Sequence, residues 1–130
     1  PLFALARQDT RRLAASISCQ QAIAGDGAFA VSLIARFEES LQQGPWMYRR
    51  LFWEAGAIGQ VLYLESEAAG LRGTGIGCFF DDAVHELLGL GDSRAYQALY
   101  NLTVGGPTED PRLRQREAYF HRNLIEKDQV

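Results

Sequence analysis

The sequence reads as one mixed helix-and-strand domain arranged around a single long helix, and three stretches predict this. Residues 46–69 place apolar or small side chains at Leu51, Ala55, Ile58, Leu62 and Ala69, with Ser66 at the one polar step. That spacing is the 3.6-residue period of a buried helical stripe. Residues 71–80, LRGTGIGCFF, form a strand carrying glycine at 73, 75 and 77. Residues 28–37, AFAVSLIARF, are β-branched and aromatic enough for a buried strand.

In chain order, residues 5–24 suit a helix, being rich in alanine with an apolar set at Leu13, Ile17 and Ile23. The turn GDG at 25–27 ends it, since glycine and aspartate tolerate turn backbone angles. After the strand at 28–37 comes a polar connection through Gln43, and Pro45 suits the first turn of the central helix, where no N–H is needed.

A second set on that helix, Trp46, Phe52, Trp53, Val61, Tyr63 and Leu64, spreads apolar surface around most of the cylinder. The helix is therefore expected to be covered by neighbours on nearly every side. Gly56 and Gly59 each cost about 1 kcal/mol relative to alanine in an exposed helix. They point to close approach of another backbone, within the chain or across a subunit boundary. Gly70 is a natural helix stop because it enters the left-handed region without penalty. Beyond the glycine-rich strand, Asp81 or Asp82 is placed to cap a short helix, DAVHELLGL, closed by Gly89 or Gly91. Residues 98–104 form the last strand, and the segment from Gly105 onward is turn chemistry and charge that would wrap over a neighbour.

Composition narrows the function. The 130 residues carry 13 basic and 16 acidic side chains, a net charge of −3. No basic surplus suggests a nucleic-acid partner. The longest helix contains Arg49, Arg50, Glu54, Glu65 and Glu67, so no membrane span is expected. No secretory leader is legible, and the absence of an initiating methionine suggests a fragment, a processed product or a trimmed chain rather than a complete gene product. Cys19 and Cys78 form no CxxC or Cys/His set, which indicates neither a zinc site nor a disulfide framework and favours a reducing cytoplasm.

The run EAGAIGQVLYLESEAAGLRGTGIGCFFDD, the later HELLGL and the closing YNLTVGGPTEDPR resemble the C-terminal half of the nitroreductase family of flavin enzymes. Within it the likeness is nearest to the branch of thiazole/oxazole-forming dehydrogenases, and it extends over residues 18–119. The resemblance implies an α+β, nitroreductase-like fold in which the central apolar helix packs on a mostly antiparallel sheet. It implies FMN bound at the interface of a homodimer or of tandem domains, a small-molecule or peptide substrate, and NAD(P)H as a candidate electron donor. The single domain 1–130 would then lack its N-terminal part, including further groups for the flavin phosphate and pyrimidine edge.

Backbone amides of a glycine-rich strand can reach the N5 and O4 edge of an isoalloxazine ring without side chains in the way. The resemblance places Ile76, Gly77 and Cys78 there as backbone contacts, with Gly75 giving clearance. Many relatives carry glutamate where Gly77 stands, so an acceptor side chain is lost and the amide kept. A phosphate needs a bidentate arginine or several amides, and the resemblance assigns it to Arg112, with Arg114 and Arg116 in reserve.

Other chemistries fit less well. Glycines 73, 75 and 77 do not make GxGxxG, and they follow a helix rather than a strand. His85, expected on an exposed helix face, and His121 have no acid helper at a readable spacing. Cys78 has no evident base and reads as a small packed residue. Tyr63, Tyr100 and Tyr119 read as core or rim aromatics. No catalytic side chain is assigned. The resemblance implies an FMN-dependent oxidoreductase, with a non-catalytic dimerisation module as the alternative.

Overall fold

The computed structural model describes residues 2–91, 93–114 and 116–120. His121 lies outside them. The elements run α1 (Arg11–Ile17), α2 (Ile23–Asp26), β1 (Phe29–Arg36), α3 (Phe37–Leu41), α4 (Met47–Ala68), β2 (Arg72–Ile76), α5 (Asp81–Leu87) and β3 (Tyr96–Gly105).

The three strands form an antiparallel sheet in the order β1-β3-β2. β3 is the middle strand and is buried on both faces, which its near-continuous run YQALYNLTVG anticipates. Leu102 at its centre is fully buried. The pairing Leu33↔Tyr100 followed by Ile34↔Ala98 leaves Leu99 as an extra residue, a β-bulge. Leu99 and Tyr100 therefore both join the cluster around Leu51 and Ala55 of α4. β1, expected to be a buried strand, is an edge strand with no fully buried residue, because nothing pairs with its outer side among the described residues.

α4 crosses one face of the sheet on Met47, Leu51, Ala55, Gly59 and Ser66. Ser66 sits on this apolar stripe because its hydroxyl donates to the Leu62 carbonyl at 2.6 Å. The stripe differs from the predicted one at Ile58, which is half exposed. The residue under the sheet there is Gly59, whose missing side chain admits the Tyr100 ring. The close approach at Gly59 is thus to an aromatic ring, not to a backbone. At Gly56 no described residue lies within 4 Å of the place a side chain would take. Gly70, at φ +72°, stops the helix as expected.

Expected as one helix over residues 5–24, the N-terminal stretch instead stays irregular to Thr10 and breaks between α1 and α2. Cys19 and Gln20 there take left-handed angles, φ +53° and +60°. Asp81 and Asp82 lie in the first turn of α5, where their charge favours the helix N-terminus, but Phe80 occupies the cap position and no side chain caps it.

Candidate functional site

The glycines of β2 divide into two kinds. A side chain at Gly75 would run into the Tyr100 hydroxyl, and it would also lie 3.1 Å from the Tyr63 hydroxyl. At Gly73 it would lie 3.2 Å from the Tyr63 ring. These two glycines therefore make room for the protein's own tyrosines, Tyr63 from α4 and Tyr100 from β3, so the clearance expected for a flavin at Gly75 is filled. Gly77 differs, since no described residue lies within 4 Å of the place a side chain would take.

The hydrogen bonds follow the same division. The Gly75 N–H donates to Tyr63 Oη at 2.5 Å, on the side of the strand away from β3. Alternation along an antiparallel strand turns Gly77 the same way as Gly75 and Ile76 toward β3. Ile76 pairs with Asn101 of β3 and is buried. Among the described residues neither the Gly77 nor the Cys78 N–H has a backbone partner, and both residues are exposed. The open end of β2 thus offers two free donors, Gly77 and Cys78, on a strand anchored by Ile76. The two phenols beneath it meet, and burial, the neighbouring Tyr63 and their mutual hydrogen bond together push the Tyr100 hydroxyl above its ordinary pKa.

Cys78 is not a lone packed residue. It forms a disulfide with Cys19, Cα to Cα 5.9 Å. The expectation of no disulfide failed because the partners lie 59 positions apart and no spacing rule detects such a pair. The argument for a reducing compartment that rested on unpaired cysteines goes with it. Two further bonds tie the same segments. Gln21 Nε2 donates to the Cys78 carbonyl at 3.0 Å, and the Phe80 N–H donates to the Ile17 carbonyl at 2.7 Å.

His85, expected on an exposed face, is buried, and its Nε2 accepts the Ala98 N–H at 3.1 Å. It fastens α5 to β3. Arg112 lies on the exposed tail, where its guanidinium donates to both carboxylate oxygens of Asp110. This pairing lowers the Asp110 carboxyl below its usual range and raises the arginine. Arg112 is therefore charged and accessible, with an acid as its present partner. Arg116 stacks on the Phe120 ring, and Arg114 is exposed on the same tail. Among the described residues no His/Cys/Asp/Glu group is placed to hold a metal, and no helix is long and apolar enough to cross a membrane.

The outer face of α4 is not covered by the described residues of this chain. Trp53, Val61 and Leu64 are 67%, 56% and 60% exposed, and with Ala57 they recur at i, i+4, i+8 and i+11 opposite the sheet. On the far side of the sheet a groove of about 1190 Å³ runs between α1, α5 and β1, lined by Phe3, Leu5, Ile34 and Leu87. Buried Asn101 also lines it, with its Oδ1 lacking any partner among the described residues.

Several solved structures share this arrangement. A candidate nitroreductase from Anabaena variabilis superposes on 78% of the chain with a TM-score of 0.70 and 30% identity. The fold is nitroreductase-like. Nitroreductase A of Vibrio parahaemolyticus aligns with 92% of the chain at a TM-score of 0.65 and 20% identity. The NADPH:FMN oxidoreductase of Vibrio harveyi, complexed with NAD+, aligns with 95% at a TM-score of 0.66 and 19% identity. The chain spans only 20%, 60% and 63% of these three proteins. No family model matches the chain, and no curated protein does. The α+β class and the antiparallel sheet under a central apolar helix stand as expected.

FMN carries a flat ring and a phosphate. The open Gly77–Cys78 edge suits a flat ring, because it has unsatisfied donors and no side chain in front of Gly77. Arg112 suits a phosphate once Asp110 releases it.

Proposed function

We propose that this chain is the C-terminal portion of an FMN-dependent oxidoreductase of the nitroreductase type. The observation that carries the reading is the open end of β2, where the exposed Gly77 follows two glycines that are filled from within. FMN, when bound, would supply hydride acceptance and donation at N5. The chain supplies the amides of Gly77 and Cys78 as donors to the N5 and O4 edge, and Ile76 as the buried anchor that fixes their height. Arg112 turns from Asp110 to the phosphate. The relatives' unmatched length and the uncovered groove beside Asn101 support the view that further parts of the protein complete the pocket.

The exposed stripe Trp53, Ala57, Val61 and Leu64 is the surface of a homodimer, as two copies would bury it against each other. Substrates would be small molecules, such as quinones or nitro compounds reduced with NAD(P)H, or peptide azolines oxidised to azoles. The same stripe favours a second reading, a non-catalytic interaction module whose remaining role is pairing through α4.

Titration of the protein with FMN, followed by quenching of flavin fluorescence, separates the two. The enzyme reading expects saturable binding that weakens about tenfold or more in Arg112→Glu, as a lost charge-assisted phosphate contact should. With the full-length protein, a colourless dimer that takes up no added FMN overturns it in favour of the module.

A further inference from the structure

The Cys19–Cys78 disulfide sits at the end of the strand proposed to carry the flavin. We propose that Cys19–Cys78 is a thiol-exchange site, a redox latch that sets the position of the Gly77–Cys78 backbone. Cys19 and Cys78 are the only cysteines of the chain, so the pairing has no competitor. Their Cα separation of 5.9 Å lies in the ordinary range for a disulfide. Cys78 is exposed and Cys19 half-buried, so a reductant can approach from the Cys78 side.

What the bond holds is visible on both sides of it. On the α1 side, Cys19 and Gln20 both occupy the left-handed region, where non-glycine residues stay only when their surroundings impose it. The sequence around them, LAASISCQQAIA, favours a continuous helix. The bond therefore opposes the local preference of its own segment. On the β2 side, Gly77 and Cys78 lie past the last ladder pair, Ile76↔Asn101. Their other ties are the Gln21 to Cys78 and Phe80 to Ile17 hydrogen bonds, which depend on the same turn. Opening the disulfide lets the turn relax toward helix, withdraws Gln21 and frees the strand end.

The chemistry is ordinary exchange with a low-molecular-weight dithiol. A thiolate of the dithiol attacks the sulfur of Cys78, the S–S bond breaks, and Cys19 leaves as a thiolate that takes a proton. The second thiol of the reductant then attacks the mixed disulfide and releases Cys78. The cysteine pair gains two electrons and two protons, and the dithiol leaves as its cyclic disulfide. The functional half of this inference, that the latch governs the flavin edge, rests on the proposed function.

The test uses the wild-type chain with and without dithiothreitol. Alkylation in denaturant, read by mass, should find no free thiol before reduction and two after it. Hydrogen exchange read by mass spectrometry should accelerate about tenfold or more on reduction at the Phe80 amide, which the Ile17 carbonyl holds. Cys19→Ser should exchange at the reduced rate and ignore dithiothreitol, and the wild-type comparison stands alone if that variant fails to fold. Two thiols alkylated without reductant, or exchange unchanged by reduction, overturn the latch. FMN affinity measured in both states is a separate readout. A fall of about tenfold on reduction ties the latch to the flavin site. An unmoved affinity alongside accelerated exchange removes the ring from Gly77 and leaves the latch standing.

Discussion

Gly75 and Gly77 have the same chemistry and opposite surroundings, and substitution should separate them. Gly75→Ala drives a methyl group into the Tyr100 hydroxyl and toward that of Tyr63. Overpacking of this kind costs about 1–3 kcal/mol, which urea unfolding would register as a lower midpoint. Gly77→Ala meets open space at a backbone angle that needs no glycine, so its unfolding midpoint should stay within about 0.5 kcal/mol of the parent. If Gly77→Ala proves the more damaging to stability, the division drawn between the two is wrong. Little of this division was legible beforehand. Three glycines at alternate positions look alike in a sequence, and only the rings of Tyr63 and Tyr100, brought in from other elements, tell them apart. His85 teaches the same thing. Its partner is a backbone N–H of β3, so no spacing of side chains could have announced that it is buried. Replacing it with leucine leaves the Ala98 N–H without an acceptor, at about 1–3 kcal/mol in the same unfolding measurement.

At the scale of elements, the long helix, both flanking strands and the glycine stop at Gly70 were legible because each follows from local periodicity or backbone freedom. The break between α1 and α2 was not, since it answers to a covalent partner far along the chain. The joint between α4 and β3 is where Tyr63 and Tyr100 meet, and it gives the fold a pH dependence. The fold holds the Tyr100 hydroxyl protonated above its ordinary range, chiefly through burial and then through Tyr63. A group whose folded pKa is raised stabilises the fold fully below its unfolded pKa, and that contribution is lost as pH rises through the folded value. Urea midpoints should therefore be level through neutral pH and fall above about pH 10, the unperturbed tyrosine value. Tyr100→Phe should be less stable near neutrality and show a shallower alkaline decline. An alkaline limb of equal steepness in the variant would move the effect to other groups. The outer face of α4 makes its own prediction. Trp53→Glu with Leu64→Glu places two charges in the stripe opposite the sheet without touching Leu51 or Ala55. Sedimentation should then show monomer where the parent shows dimer, with the far-ultraviolet helix signal retained.

For the molecule as a whole, the Cys19–Cys78 bond is the covalent tie between distant segments. It closes a loop spanning 59 positions, which contains α2, the first strand and the whole central helix. A cross-link of that span restricts the unfolded chain far more than the folded one, where the two segments are already held by the Gln21 and Phe80 hydrogen bonds. Stabilisation of about 2–4 kcal/mol is the usual return for such a bond. At this chain length, reduction should therefore lower the thermal midpoint by roughly 10 °C. Scanning calorimetry with and without dithiothreitol measures the shift directly, and Cys19→Ser supplies the control, since its midpoint should lie near that of the reduced parent and not respond to the reductant. The sheet and α4 do not depend on the bond for their contacts, so the reduced protein should still unfold in one cooperative transition. A reduced form that melts at the parent temperature would mean that the two segments are held equally well without the sulfur bridge. A reduced form without any transition would mean that the sheet, exposed along its first strand and over the groove beside Asn101, needs the cross-link to fold at all.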